Sequence, residues 1–362
     1  MIPFIDLKSQ YERVQTQVTK RIHDVLESGH YIMGPEVKEM EDLLAKYVGV
    51  NHCIAVSSGT DALLIPLMAW GVSPGDEVII PNFSFFATAE VVELLGAKCV
   101  FVDIDPVTYN LDAKMLEAKI SSKTKAIIAV SLYGRCADFD SINKIASRHG
   151  IPVIEDGAQS FGATLGGKKS CGLSTVGATS FFPSKPLGCY GDGGACFTND
   201  NKLAMEMREI RIHGQSKRYQ HTRIGINGRM DTIQAAILIE KMSIFDDELK
   251  ARREIAERYN QGIKSFTTPK LDFDTHAMAQ YTIESDSRDE LIAYLNKHDI
   301  PTAIHYPGTL SEQLAISDRY KELNTPHAHK ASRKVLSLPM SPYLKLTDQQ
   351  KIIDVLNAYG EK

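Results

Sequence analysis

The 362-residue chain lacks a basic excess, a long apolar run and any cluster of cysteine or histidine at metal-ligand spacing. Its 41 Lys+Arg stand against 45 Asp+Glu, a formal net charge of −4. Proteins built to grip nucleic acid carry a basic footprint, so that class is excluded as the main description. No apolar stretch approaches the roughly 20 residues that a membrane-spanning helix needs. In the opening MIPFIDLKSQ, Asp6 and Lys8 fall where a signal peptide keeps its apolar core. The six cysteines (Cys53, Cys99, Cys136, Cys171, Cys189, Cys196) are scattered and form no CxxC pair. They read as small hydrophobes in a reducing cytosol rather than as a disulfide framework. The expectation is a cytoplasmic protein with no metal and no nucleic-acid or membrane partner.

What is present is ordinary globular material: 43% hydrophobic and 24% charged residues. A chain of this size buries enough apolar surface to fold without staples. Its length allows two or three domains at roughly 100–200 residues each. Between about residues 52 and 200, short β-branched runs alternate with helix-length segments. CIAVSS (53–58), DEVIIP (76–81), KCVFVDID (98–105), KAIIAVSL (125–132) and IPVIED (151–156) are unbroken apolar cores. Such runs suit strands buried on both faces of a parallel sheet. The intervening TDALLIPLMAWG, ATAEVVELLGA and DFDSINKIASRHG each close on a Gly placed to suit a helix C-cap. The repetition predicts βαβ units in an open α/β sheet, with two further strands at 178–183 and 193–199.

After residue 230 the pattern changes. Asp231 and Gln234 have capping-box spacing, and a long helical run follows whose charged second half predicts a solvated helix leading out of the main domain. Residues 280–362 read as a smaller α+β unit, with HYP (305–307) and LPM (338–340) as punctuation. The predicted division is a large domain over 1–245 and a small C-terminal domain over 246–362.

Ligands of open α/β sheets bind beyond the carboxyl ends of the strands, so residues directly after strands carry the chemistry. Ser57-Ser58-Gly59-Thr60 opens a helix after the first strand and offers amides and hydroxyls to a phosphate, although such a turn is also a common helix cap. Asp156 ends the strand IPVIED, where an acid either caps a helix or holds a protonated ring nitrogen. Phe85, after DEVIIP, is a core aromatic or a stacking platform. Lys185 lies between an apolar strand and a glycine-rich turn, with no following acid until Asp192. A desolvated lysine loses its proton readily and becomes a nucleophile toward aldehydes. Phosphate cradle, platform, acid and lysine together fit pyridoxal phosphate, which needs a covalent lysine and an acidic partner for its pyridine nitrogen.

At these residues the chain resembles the sugar aminotransferases of the DegT/DnrJ/EryC1/StrS family. The resemblance runs through FIDLKSQY, GPEVKEME, SSGTDAL, PGDEVIIPNFSFFATAE, VDIDPVTYNLD, VIEDGAQSFGA, SFFPSKPLGCYGDGGA, GINGRMDTIQAAIL, HYP and LSLPM. It implies the aspartate aminotransferase (type I) fold, an α/β architecture with a large, mostly parallel mixed sheet and a smaller C-terminal α+β domain. It also implies that Lys185 holds the cofactor covalently, that Asp156 partners the pyridine nitrogen and that Gln159 lies beside the ring hydroxyl. Gly59, Thr60 and Ser180 would hold the phosphate, Phe85 would stack on the ring, and Asn227 would reach the neighbouring subunit's cofactor in a homodimer with shared sites. Relatives with histidine in place of the lysine run dehydration; Lys185 favours transamination. Gly157 stands where alanine is commoner.

The resemblance further implies glutamate as amino donor and a nucleotide-linked ketosugar as acceptor. The stretches SFFPSKPLGCYGDGGA and VSLYGRCADFDSI are similar to enzymes that aminate UDP-2-acetamido-2-deoxy-3-oxo-glucuronate for O-antigen synthesis. A dTDP- or UDP-linked 3-keto or 4-keto 6-deoxyhexose is the alternative acceptor. Six Lys/Arg between Arg208 and Arg229 against one acid, Glu209, read as a solvated loop or as a basic rim for a diphosphate. Arg229 is placed to pair with a sugar carboxylate, and His305 and Tyr306 match positions that approach substrate from the other subunit; His213 and Tyr31 complete the candidate set. Two rival classes remain. A Rossmann-type oxidoreductase would need a GxGxxG turn where this chain has SSGTDA. A non-catalytic sensor would have no need of Lys185 and Asp156.

Overall fold

The computed structural model describes residues 2–272, 275–321 and 323–360. Two helices, α1 (Leu7–Ser28) and α2 (Pro35–Val48), precede the strand pattern. The Asp6 carboxylate caps α1 by accepting from the Ser9 amide at 2.9 Å. Seven apolar runs then form β1 (His52–Val56), β2 (Glu77–Pro81), β3 (Lys98–Val102), β4 (Thr124–Val130), β5 (Val153–Asp156), β6 (Val176–Ser180) and β7 (Gly194–Thr198). They make one sheet in the order β1-β7-β6-β5-β4-β2-β3, in which β7 alone runs against its neighbours.

Both faces are covered, which is why these strands read as unbroken apolar runs. Val78, Ile80, Ala126 and Ile128 join one core with helices α3 (Gly59–Ala69), α4 (Ala87–Leu94) and, further along, α6 (Asn201–Ile210). Ile79, Ile127 and Ala129 alternate with them and meet Phe139, Ile142 and Ala146 of α5 (Phe139–Arg148) on the other face. Burying each such side chain contributes roughly 1.5–3 kcal/mol. Gly71 and Gly150, after α3 and α5, adopt φ of 68° and 65°, the left-handed geometry that ends a helix.

Helix α7 (Thr232–Gly262) corrects two expectations. Asp231 makes no side-chain cap, because Gln234 accepts instead from the Tyr190 amide at 3.0 Å. Its charged second half is not a solvated strut either. Glu248, Leu249, Arg252, Ile255, Ala256 and Tyr259 are buried there, with polar and apolar residues together filling the junction with the C-terminal unit. That unit pairs β8 (Tyr281–Glu284) with β9 (Val335–Leu338) and packs them under helices α8 (Arg288–Lys297) and α9 (Leu346–Gly360). Ile2 belongs to this core, while Leu310 and Ile316 return to the core beneath α3 and α4. The strap carrying them is fastened by Asn82, whose amide donates to Ser311 and Thr325 at 2.9 and 2.7 Å. No helix among the described residues is long and apolar enough to cross a membrane.

Candidate active site

The strand ends converge as the sheet's topology requires. Asp156 is the last residue of β5 and is buried. Its carboxylate accepts from the Ala158 amide at 3.1 Å and from Thr88 Oγ1 at 3.5 Å, and Thr88 in turn lies 3.1 Å from Ser84 Oγ. Burial pushes the Asp156 carboxyl up, while the Ala158 amide and the Lys185 charge pull it back. Lys185 sits in the loop between β6 and β7. Desolvation holds its ammonium below the ordinary lysine range, and Asp156 opposes that fall. Lysine and acid are therefore close enough that each charge favours the ionised form of the other.

The loop that carries Lys185 is pinned from beneath. The Cys189 amide donates to Phe181 O at 2.7 Å, and a Cβ on Gly188 would fall 2.6 Å from Pro183 O. Buried Lys241 of α7 donates to Gly188 O, and burial drops its pKa to about 8. Sequence reasoning missed Lys241; its signal is a cation two residues beyond the apolar AAILI segment of that helix.

Gln159 is buried beside Asp156, and its Nε2 donates to the Tyr306 hydroxyl at 3.1 Å. The Tyr306 ring meets Phe83 and Phe85 at centroid distances of 6.3 and 6.1 Å. His305 Nδ1 lies 2.9 Å from Ser337 Oγ; burial, with Lys185 adding to it, lowers its pKa to about 4. The expectation that His305 and Tyr306 come from the other subunit is corrected here: the strap folds them into their own chain's cleft. Phe85 is 58% exposed, an open aromatic face rather than a core residue.

Gly59 and Thr60 begin α3, so their amides have no intrahelical partner. A Cβ on Gly59 would stand 2.6 Å from Ser180 Cβ, which explains why only glycine brings this turn against β6. Tyr31, His213, Asn227 and Arg229 form a second group. Ile212 bridges to Asn227 and Ile32 to Asp231, and Arg229 Nε donates to Asn227 Oδ1 at 2.9 Å. Among the described residues, no hydrogen bond or ring contact joins this group to Lys185 or Asp156. The basic rim is thinner than its sequence count. Arg211 is buried against Glu41 at 2.6 Å, and Arg223 pairs with Glu206 and Glu209 at 3.4 and 2.8 Å.

The sequence profile of the DegT/DnrJ/EryC1/StrS aminotransferase family matches residues 12–357. The chain belongs to this family. A relative in Pseudomonas aeruginosa, UDP-2-acetamido-2-deoxy-3-oxo-D-glucuronate aminotransferase, is 56% identical over 95% of this chain and 96% of its own. A family aminotransferase structure from Brucella abortus superposes with a TM-score of 0.96 at 46% identity, covering 100% of both chains. The Bacillus subtilis protein NtdA, solved with bound cofactor PMP, has a TM-score of 0.93 at 30% identity over 100% of this chain and 85% of that one.

Members of the family use pyridoxal phosphate, and the cleft of this one fits it. A Cβ at Gly59 would fill the turn against Ser180, Phe85 offers an exposed aromatic face beside Tyr306, and the Lys185 and Asp156 charges act on one another. A Cβ on Gly157 would lie 2.5 Å from Cys171 Sγ, so the thiol occupies the room a methyl group would take.

Glu155, next to Asp156 on β5, points to the opposite face of the sheet. It accepts from Ser170 Oγ at 2.7 Å and from the Leu173 amide at 3.1 Å, and burial raises its pKa to about 7. Because this acid binds its proton more tightly folded than unfolded, its contribution to stability is full below about pH 4.5 and is lost as pH rises toward 7. Glu155→Gln is expected to flatten the decline in unfolding free energy across that window, measured by urea denaturation at successive pH values.

Proposed function

We propose that this chain transfers the amino group of L-glutamate to the 3-keto group of UDP-2-acetamido-2-deoxy-3-oxo-glucuronate, in the cytoplasm, for surface polysaccharide synthesis of the O-antigen kind. The observation that carries the choice of sugar is the 56% identity, over nearly the full length of both chains, to the relative named for that substrate. The neighbouring Lys185 and Asp156 support the reaction class.

When bound, pyridoxal phosphate accepts an amino group from one substrate and gives it to the ketone of another. Lys185 would hold the cofactor covalently, and as a free amine its Nζ would be the group that takes up the proton of the donor's α-carbon and gives it back. The depressed pKa of Lys185 supports this role, since a neutral amine is available at lower cost. Asp156, buried and oriented by Thr88 and the Ala158 amide, would partner the ring nitrogen. Gln159 would border the ring hydroxyl, Phe85 would stack on the ring, and Gly59, Thr60 and Ser180 would hold the phosphate. His305 and Tyr306 approach the substrate from the same chain.

The protein acts as a homodimer in which Asn227 reaches the partner's cofactor and Arg229, His213 and Tyr31 line the partner's sugar site. In support, Tyr219 and Ile224 of the same segment are 80% and 85% exposed, as apolar residues awaiting a second copy would be. The two units divide at 245/246, supported by separate cores that both draw on α7.

Arg229→Ala is expected to raise KM for the uronate about 10- to 100-fold, the worth of a charge-assisted pair, with the glutamate half-reaction unchanged. Single-turnover absorbance of each half-reaction checks this. Equal loss in both, or efficient turnover of a 6-deoxyhexose substrate with none of the uronate, would overturn the choice of sugar.

A further inference from the structure

At the end of β4 the chain turns sharply, and Tyr133 adopts φ 57° and ψ 7°. Bulky residues rarely enter this left-handed region, and those that do cluster at functional sites, held there by their surroundings. Asn110 clamps the turn from both sides: its Oδ1 accepts from the Leu132 amide at 2.8 Å, and its Nδ2 donates to Arg135 O at 3.0 Å. The Ala279 amide donates to Tyr133 O at 3.1 Å. Two bonds then point toward the cleft. The Tyr133 amide donates to Gln159 Oε1 at 2.6 Å, and the Tyr133 hydroxyl donates to His305 O.

These contacts set a polarity. A backbone amide only donates, so the Gln159 atom facing Tyr133 is its oxygen, and its NH2 faces Tyr306 and the cleft. One of those hydrogens goes to the Tyr306 hydroxyl at 3.1 Å, and the other has no hydrogen-bond partner among the described residues. Tyr306 accepts there and keeps its own proton to give, since burial and the Asp156 charge both hold its hydroxyl in the protonated form. At this point the cleft therefore meets two donors side by side.

We propose that Tyr133 is a positioning residue: its amide fixes the polarity of Gln159 and its hydroxyl holds the His305–Tyr306 segment, so that two donors converge on one electron-rich oxygen. The inference rests on the aminotransferase reading above and deepens it. The oxygen belongs either to the bound cofactor's ring or to the keto group of the sugar, and the shared chemistry is an acceptor that gains negative charge.

The test uses the holoenzyme of the wild type, Tyr133→Phe, Tyr306→Phe and the double variant. One readout is the pH titration of the bound cofactor's absorption without substrate; the other is kcat and KM for the ketosugar half-reaction, with the glutamate half-reaction alongside. Tyr306→Phe is expected to move one readout about ten-fold, or about one pH unit, as loss of a hydrogen bond to a charged oxygen does. Tyr133→Phe moves the same readout in the same direction, and its effect disappears in the Tyr306→Phe background. A moved titration assigns the oxygen to the cofactor; an unmoved titration with raised ketosugar KM assigns it to the sugar. A Tyr133→Phe effect that persists in full without the Tyr306 hydroxyl, or a change confined to melting temperature, overturns the proposal. A wild type with no cofactor band would overturn the aminotransferase reading and this inference together, whereas a normal band with unmoved variants overturns this inference alone.

Discussion

Lys185→Ala is expected to abolish turnover, by at least about 10⁴-fold, and to remove the absorption band of the covalently held cofactor. The loss combines two roles, since general acid–base work by one side chain contributes roughly 10²- to 10⁴-fold by itself and the covalent attachment adds to it. Stability should not fall with activity. The native state holds this ammonium in a desolvated cleft, which disfavours its charge, so truncation removes a strained cation rather than a packing element. Lys185→Arg separates charge from reactivity. Arginine keeps the positive charge beside Asp156 yet never gives up its proton, so it should be as inactive as alanine. The checks are visible spectra before and after glutamate, the glutamate half-reaction rate, and thermal melts of all three proteins. Substantial turnover by the arginine variant would show that charge, not a free amine, is what the site needs.

Most of the large unit was legible because its strands are buried on both faces and leave apolar runs that alternation does not disguise. The same rule singled out Asp156 and the Gly59 turn, since chemistry in such a sheet gathers where strands end, whereas Ser180 came only through the family resemblance. What stayed hidden depends on distance along the chain. Gln159 meets the Tyr133 amide across 26 residues and the Tyr306 hydroxyl across 147, separations over which no local pattern operates. Local patterns also misled where tertiary partners won. Gln234 has the spacing of a capping residue, but the loop carrying Lys185 offers it the Tyr190 amide. The charged half of α7 looks solvated in sequence, yet Glu248 accepts from Gln10 at 2.9 Å and from Tyr343 at 2.6 Å, so its charge is satisfied inside the protein. A count of basic residues likewise cannot tell the exposed Arg218 from Arg211, which is buried.

Breaking the Arg211 pair is the change expected to damage the fold most. Glu41, on α2, accepts from the Ala55 amide of β1 at 2.8 Å and from Arg211 Nη1 at 2.6 Å; Arg211 Nη1 also donates to Ala55 O at 2.7 Å. Both side chains are almost wholly buried. The Gly228 amide donates to Arg211 O at 2.9 Å and the Ser57 amide to Gly228 O at 3.0 Å, which carries the network to the turn preceding Gly59. Glu41→Ala leaves a buried guanidinium without its counter-charge, a loss of about 3–5 kcal/mol. Native proteins hold only about 5–15 kcal/mol in total, so the variant should unfold at markedly lower urea concentration. Replacing both partners by methionine should recover much of that loss, because the unpaired charge, rather than the absence of an ion pair, is what destabilises. Lys38→Ala, which breaks the exposed Lys38–Asp42 pair on the same helix, should change stability by less than about 1 kcal/mol. Since the network ends beside the Gly59 turn proposed to hold the phosphate, Glu41→Ala should also weaken retention of pyridoxal phosphate on dialysis, while Lys38→Ala should not. If Glu41→Ala and Lys38→Ala proved equally mild, the buried pair would be no keystone of the fold, and the turn before Gly59 would owe its position to the backbone alone.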